Sequence, residues 1–326
     1  MSERVTMSDV AARAGVSAKT VSNVLRGIEG ASPSTRARVL EAVESLGYRL
    51  NPSASALRSG RRGAITLAAP TLLQPLVADL AEALMRAAGP VPVILELTRG
   101  RAEQEEAVLA GDWLRRSGAA VLVPRALDPA RMETDLGLPL VLLADDGPAG
   151  LSRVGCPPDE QARIVGAHLR EQGCTSPAVI GTREPADRWT EACVRGLGVD
   201  EELVVRVEDP DGVRGGVEAV SRLLRCGRRV DAVVCHNDAL ATGAMGTLLR
   251  RGVRVPQDVV VVGRGDTETA AFAVPALTSV STGADLLAQA VLEILAPHLD
   301  GQPAGPARTV HVAPGLIARE SSLRRP

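Results

Sequence analysis

Between residues 17 and 26 the chain reads SAKTVSNVLR, and at helical spacing Val21, Val24 and Leu25 share one face while Lys19, Ser22, Asn23 and Arg26 share the opposite one. That outer stripe consists of donors and hydroxyls. A lysine can donate to guanine O6 and N7, an asparagine can pair bidentately with adenine, and hydroxyls suit phosphate oxygens. The plain alternative is a solvated charged face.

The elements that must hold this stripe are marked by their ends. Thr6-Met7-Ser8-Asp9 has the form of a capping box, and the helix it opens runs through Val10, Ala11 and Ala14 to Gly15, which can take the positive φ of a helix stop. Ser17 caps the second helix, Ala18 to Leu25. Ser32 caps a third with Pro33 at its first position; its buried face is expected to be Val39, Leu40, Val43 and Leu46, ending at Gly47. Three short helices around a small apolar centre make a helix-turn-helix domain. Residues 1–62 hold ten basic and five acidic side chains, a charge of +5, against −7 for the rest of the chain. A small basic head on an acidic body is the asymmetry expected where one end meets a polyanion.

The following segment, Asn51 to Gly60, can form about two helical turns, with Asn51 as cap, Pro52 first and Gly60 as stop. An isolated helix this short is marginal in water, so its order must come from a partner. A flexible Ser/Ala tether with Leu57 merely exposed is the alternative.

From Ile65 onward short apolar runs (AITLAAP, PVPVILEL, AAVLVP, LPLVLLAD, PAVIG, ELVVRVE, DAVVC, DVVVVG, ARTVHVA) alternate with amphipathic stretches. Those stretches are Ala78 to Ala88, Gln104 to Arg116, Glu160 to Glu171, Val217 to Arg225 and Ala239 to Arg251. This is the βαβ rhythm of parallel sheets with crossover helices. Four strands precede and four follow residue 150, which predicts two similar lobes with a cleft between them.

Composition removes other classes. With 45% hydrophobic and 23% charged residues, the 326-residue chain is globular and long enough for two or three domains. The uncharged stretch Gly63 to Ala78 is too short to span a bilayer, and Glu3, Arg4 and Asp9 stand where a signal peptide needs its apolar core, so a cytoplasmic protein with no membrane contact is expected. The five cysteines (156, 174, 193, 226, 235) have no CxxC spacing and read as core residues or idle thiols, with no metal site and no disulfide framework. Lys19 is the only lysine, and its surroundings fit neither a Walker A loop nor a Schiff base; HExxH and GxSxG do not occur. Gly263-x-Gly265 follows an apolar run, but Glu268 stands where a dinucleotide fingerprint has its third glycine. No catalytic residue and no cofactor are expected. An NAD(P)-type enzyme or a solute-binding protein on a doubly wound core is the runner-up.

The stretch TMSDVAARAGVSAKTVSNVLRG, followed by ASPSTRARVLEAVESLGYRLNPSASALRSGR, resembles the N-terminus of LacI/GalR-type transcription regulators, nearly continuously over residues 1–62. The resemblance implies that the second helix lies in the major groove with Ala18, Lys19 and Asn23 at base-reading positions. Thr6, Ser17, Thr20, Ser22, Ser32, Thr35 and Tyr48 then fall where the family contacts phosphates, and Arg26 joins them. Paired hinge helices would enter the minor groove, Leu57 as the wedge and Ala54 at the helix contact, flanked by Asn51 and Arg58. Ser55 departs from a common arginine.

A weaker resemblance through VVCHNDALATGAMGTLLRRGVRVPQDVVVVGRGD and PALTSVST implies a periplasmic-binding-protein-like core of two α/β lobes. The implied domains are 1–49 (helix-turn-helix), 50–62 (hinge) and 63–326 (core). Within the core the first lobe is about 63–152 plus 283–303 and the second about 158–278 plus 306–326. The implied activity is that of a repressor binding double-stranded palindromic operator DNA as a homodimer, a tetramer being the open alternative, in the nucleoid. The core would bind a small effector at Thr71, Gln74, Leu76, Asp145, Arg188, Trp189, Asn237 and Asp266.

Four departures surround that pocket. Thr71, Gln74, Leu76 and Val77 stand where the family has an acidic residue, an asparagine and two aromatics. Pro157-Pro158 replaces an Asp-Asn pair, Trp189 replaces a pocket arginine, and Gly265-Asp266 replaces Asp-Asp. A pocket without these groups suits an ordinary hexose poorly, so the effector is expected to be unlike the usual sugars, or absent. Trp189 offers a flat wall and one donor, or else fills the second lobe. Asn237 and Asp238 either contact ligand or cap the helix at Ala239, and His236 reads as an exposed or satisfied histidine.

Overall fold

Hydroxyl caps and apolar residues three and four apart build the first unit. The computed structural model describes residues 6–25, 31–46, 63–115, 117–132, 139–300, 302 and 305–324, and the chain divides near residue 61 into two compact units. In the first, α1 (Met7–Ala14), α2 (Ala18–Leu25) and α3 (Pro33–Ser45) enclose Val10, Ala11, Ala14, Val21, Val24, Val39 and Ala42. Thr6 and Asp9 form the reciprocal capping box, and Gly15 at φ 65° takes the left-handed conformation that ends α1 and starts the turn. Leu40 differs from expectation: it is 49% exposed, and Ala42 takes its place in the core. Val39, Ala42, Val43 and Leu46 follow i, i+3, i+4, i+7, and Leu40 lies one helical step, about 100°, off that stripe.

The second unit holds two six-stranded sheets. The first runs in the order β11-β5-β4-β3-β1-β2 and is parallel throughout. Its strands are β1 (Ile65–Ala69), β2 (Val93–Leu97), β3 (Ala119–Leu122), β4 (Leu140–Leu143), β5 (Ser152–Gly155) and β11 (Thr309–His311). Helices α4 (Pro75–Ala88), α5 (Ala102–Leu109) and α11 (Ala284–Leu299) belong to this lobe, and α4 packs on α11. The second sheet, β12-β10-β9-β8-β6-β7, is parallel except for β12. It comprises β6 (Pro177–Thr182), β7 (Val204–Val207), β8 (Ala232–Cys235), β9 (Val260–Arg264), β10 (Thr278–Ser281) and β12 (Gly315–Ile317). Its helices are α6 (Pro158–Glu171), α7 (Trp189–Leu197), α8 (Val213–Leu223), α9 (Asp238–Arg250) and the short α10 (Glu268–Ala271). The central strands are buried along their length, as parallel strands covered on both faces must be.

Three features differ from the sequence reading. The run ARTVHVA supplies β11 of the first sheet, paired in register with β5, so 306–326 does not lie wholly in the second lobe; the chain crosses after it, at 312–314, and adds β12. Likewise β5 carries the first lobe on to Gly155. These strands, SRVG, TVH and GLI, are only three or four residues long and take their place from the strand each pairs with. The helix expected over Gln104 to Arg116 ends at Leu109, because Gly111 turns the chain at φ 80° and Asp112–Arg115 continues as a 3-10 turn. Trp113 is nonetheless buried, its Nε1 donating to Val108 O at 2.9 Å.

Among the described residues no helix is long and apolar enough to cross a membrane. All five cysteines are free thiols.

Candidate functional site

In the first unit the polar residues singled out from sequence collect at the starts of three helices. Thr6 donates through its hydroxyl and its amide to Asp9 Oδ2, each at 2.7 Å, and these bonds hold the exposed Asp9 carboxyl below its ordinary range. Ser17 Oγ accepts from Thr20 N at 3.1 Å and lies 2.9 Å from the Thr20 hydroxyl. Ser32 Oγ accepts from Thr35 N at 3.2 Å and lies 2.9 Å from the Thr35 hydroxyl. Each helix start offers amides and hydroxyls on the positive end of a helix dipole, the local chemistry of an anion site. On α2, Lys19 is exposed, Ala18, Ser22 and Asn23 are half-buried, and Val21 and Val24 face the core. Arg26, Tyr48, Asn51, Ala54, Leu57 and Arg58 lie outside the described residues.

In the second unit a cavity of about 190 Å³ lies between the lobes at the carboxyl ends of the strands, where open α/β sheets bind ligands. Pro70 follows β1, Arg125 follows β3, Asp145 follows β4, His236 follows β8, Arg264 ends β9 and Thr282 follows β10. Leu76 from α4 and Trp189 from α7 add apolar wall.

Of the expected pocket residues, Gln74, Leu76, Asp145, Arg188 and Trp189 line the cavity. Thr71, Asn237 and Asp266 do not. Thr71 Oγ1 accepts from Leu73 N at 3.0 Å, closing its own turn. Asn237 caps α9, accepting from Leu240 N and donating to Pro210 O, both at 2.9 Å, so both ends of its amide are occupied. Asp266 sits at φ 56° and pairs with Arg319 at 2.6 Å. The neighbouring Asp238 is a buried hub that accepts from Thr267 N, Thr267 Oγ1 and Ser279 Oγ and ties the loop after β9 and strand β10 to the start of α9.

The cavity wall contains groups that the motif reading missed. His236 is not exposed: its side chain is 12% exposed, its ring meets Trp189 edge-on at 5.6 Å, and Nδ1 makes no hydrogen bond, its nearest carboxylate oxygen being Asp187 Oδ2 at 3.5 Å. Burial, helped by Arg264 and Arg125 and opposed by Asp187, lowers it to about 4, so it is neutral at pH 7. Arg264 stands 5.8 Å from the centroid of the Trp189 ring and donates to Gln161 Oε1 at 2.8 Å. Burial pushes the Asp145 carboxyl up to about 6 against the pull of Arg264, and Oδ1 has no partner. Gly155 fits beneath it only for want of a side chain, since a Cβ there would meet Asp145 Oδ1 and lie 2.9 Å from Ala144 O. Trp189 Nε1 and Thr282 Oγ1 are also unpartnered, on residues only 2% exposed. The signal that could have found Arg125, His236 and Arg264 is their position just past, or ending, an apolar strand run.

Charged side chains join the lobes around this cavity. Arg125 reaches Glu184 at 2.7 Å and makes a bidentate pair with Asp211, which also accepts from Gln74 Nε2 at 2.8 Å. Arg188 pairs with Asp146 at 2.7 Å and with Asp128. Burial pushes Glu184 up to about 7, with Arg125 pulling the other way and nearby carboxylates adding to the rise. The loop carrying Arg125 is anchored by the buried Glu105 carboxylate, which accepts from the amides of Arg125, Ala126 and Leu127 at 2.9–3.2 Å.

Comparison with known proteins agrees with both units. Residues 6–51 match the family model described as bacterial regulatory proteins, lacI family, and residues 167–322 match a periplasmic binding protein-like domain. The regulator MalR of Streptomyces coelicolor (strain ATCC BAA-471 / A3(2) / M145) is 33% identical over 98% of this chain and 97% of its own. A solved transcriptional regulator CelR–cellobiose complex is 26% identical, with TM-score 0.69 over 98% of this chain and 100% of that one. The lac repressor dimer bound to operator and the anti-inducer ONPF is 22% identical; its TM-score of 0.81 over 99% of this chain and 100% of that one shows the shared fold. With a helix-turn-helix head and a two-lobed core matched along nearly its whole length, the chain belongs to the LacI family of DNA-binding bacterial transcription regulators.

Proposed function

We propose that the protein is a repressor that binds a pseudo-palindromic operator as a homodimer, with α2 in the major groove and the segment after residue 50 in the minor groove. One observation carries this reading. The outward side of α2 bears Lys19, Ser22 and Asn23 around a buried Val21–Val24 seam, and hydroxyls crowd three helix starts. Lys19 and Asn23 read base edges, with Ala18 close to a thymine methyl; Thr6, Ser17, Thr20, Ser22, Arg26, Ser32, Thr35 and Tyr48 hold phosphates. Leu57 wedges into the minor groove beside Ala54, flanked by Asn51 and Arg58. Exposed apolar side chains in the core, Leu95 and Leu97 on β2 with Phe272 and Val274 beyond α10, supply material for a dimer contact. The protein works on DNA in the cytoplasm, as a regulator without catalytic chemistry.

Selection from random duplexes tests this. A palindromic consensus whose affinity falls steeply with salt is expected; equal affinity for all sequences, or a flat salt response, overturns it. Replacing Leu57 by alanine should weaken specific more than non-specific binding and reduce the bend seen by circular permutation of the site.

The inter-lobe cavity is the effector site. Buried polar atoms without partners at Asp145, Trp189, His236 and Thr282 support this, because such atoms are costly unless a ligand or water satisfies them. The effector presents an apolar or planar face to Trp189 and differs from an ordinary hexose. Titration of candidate compounds with tryptophan emission and DNA affinity followed together is the test. A common hexose that releases DNA at micromolar levels while Trp189 emission stays unchanged refutes it.

A further inference from the structure

We infer that the cleft is held shut by the chain's own ion pairs, through two clamps on Arg125 and Arg188, so that an effector acts on a closed core rather than drawing open lobes together. The inference rests on reading the cleft as the effector site, but its test needs no ligand.

The two clamps have opposite polarity. In one, the first lobe extends a cation, Arg125, to Asp211 and Glu184 of the second; in the other, the second lobe extends Arg188 to Asp128 and Asp146 of the first. Each arginine thus meets two carboxylates, and displacing either lobe separates both sets at once. Arg125, Asp128 and Arg188 are also held by their own lobe. The loop of Arg125 hangs on Glu105, and Gly100 leaves room for the Arg125 stem, whose Cδ a Cβ there would meet at 2.6 Å. Asp128 Oδ1 accepts from Ala130 N at 3.0 Å, and Arg188 Nη1 donates to Pro185 O at 2.9 Å. Positioning of this kind lowers the conformational entropy lost when the pairs form, which is the main reason exposed ion pairs contribute little.

Exposure separates the two clamps. Arg125, Glu184 and Asp211 side chains are 16–18% exposed, whereas those around Arg188 are 22–37% exposed. Salt screens partly buried pairs less than exposed ones, so the Arg188 clamp should loosen first as salt rises. The clamps also use side chains at the mouth of the cavity: Gln74, Arg125 and Arg188 spend donors on the opposite lobe that would otherwise be available to a ligand.

Acrylamide quenching of tryptophan emission in the full, ligand-free chain reads the closure. Trp189 packs into the second-lobe core but also lines the cleft, so parting the lobes uncovers its cleft-facing side; Trp113 is buried in the first lobe and gives a constant background. The wild-type protein should be poorly quenched, and the double variant Arg125→Gln, Arg188→Gln should be quenched at least twofold more. Asp128→Asn with Asp146→Asn, which leaves the Arg125 clamp in place, should give a smaller rise, as should wild type in 1 M salt. Charge exchange with the third member neutralised, Arg125→Asp with Asp211→Arg and Glu184→Gln, should restore most of the protection, because an ion pair again crosses the cleft and no second-lobe carboxylate is left facing the new one. Equal quenching of wild type and the Arg125/Arg188 variant, with both melting cooperatively, overturns the inference, and so does failure of the charge exchange to protect. If the Arg125/Arg188 variant does not fold, the Asp128/Asp146 pair decides in the same way: unchanged quenching in a folded protein overturns the inference. A core that binds no small molecule would refute the effector reading and leave these outcomes standing.

Discussion

The first unit and the two-lobed core treat their polar side chains in opposite ways. In the head, Lys19 is exposed, Ser22 and Asn23 are half-exposed beside it, and the hydroxyls of Ser17, Thr20, Ser32 and Thr35 bond only at their own helix starts among the described residues. In the core, the polar side chains near the cavity are mostly half-buried and already spent: Arg125, Arg188, Gln74 and Asp211 bond across the cleft, and Asp238 and Asn237 hold loops. A surface built for a polyanion can wait in water at small cost, because water satisfies it. A cleft between lobes cannot, because an unpaired buried charge costs several kcal/mol, and the chain has supplied its own partners.

The contrast can be broken most directly at its base. Val39 is fully buried among seven buried core residues of the described head, so Val39→Asp should unfold the head outright, a loss above about 4 kcal/mol, while the two-lobed core melts unchanged. Calorimetry with a DNA-binding assay checks this; a shift of the core transition would mean the units do not fold separately.

Glu105→Ala comes next. It strands three loop amides, and a loss of about 3 kcal/mol in core stability is expected, since buried donors left unsatisfied cost about 1–3 kcal/mol each before the loop relaxes. Denaturant unfolding measures it, and a loss under 1 kcal/mol would show that the loop does not depend on that carboxylate.

Glu184 then sharpens the cost of a crowded cleft. Its folded value, about 7, lies above the ordinary carboxylate value of 4.5, so the folded state holds the proton longer and stability falls as pH rises from about 4.5 to 7. Asp145, held up to about 6, acts in the same direction, whereas His236, lowered to about 4, opposes both below pH 6.5. Relative to wild type, Glu184→Gln should therefore gain on the order of 2 kcal/mol between pH 5 and pH 7. Unfolding of the two proteins across that range decides; parallel pH profiles would place Glu184 in an ordinary environment.

The smallest effect belongs to the open surface. Replacing Lys19 by alanine should cost about 1 kcal/mol per half-site and relax preference at one base pair, because a flexible ammonium contributes less than a bidentate fork. A uniform loss on every sequence would make Lys19 a phosphate contact instead.

The head was legible in the sequence almost residue by residue, because caps and stops act within four positions of one another. Thr6 with Asp9, Gly15, and Ser32 before Pro33 each dictate their local turn without reference to distant chain. Among the described residues of the head Leu40 escaped, one helical step from a stripe that Ala42 completes. The central core strands were legible as apolar runs. The short strands β5, β11 and β12 were not assignable to a lobe, because strand pairing is a contact between segments distant in the chain, Arg153 with Thr309 in β5 and β11, and leaves no mark on three or four residues of sequence.

The cavity divides in the same way. Gln74, Leu76, Asp145, Arg188 and Trp189 could be placed from motif position, and the sequence alone determined that an indole stands in the wall and that free carboxylates and amides are scarce. What only the tertiary structure decided is how those groups are used. It turned Asn237 into a cap and Asp266 into a partner for Arg319, buried His236 against Trp189, and brought Arg125 opposite Asp211, 86 residues away in the chain. Whether a polar side chain is free or paired depends on what a distant segment, of the same lobe or the other, places within hydrogen-bond reach of it, and sequence spacing carries no record of that distance.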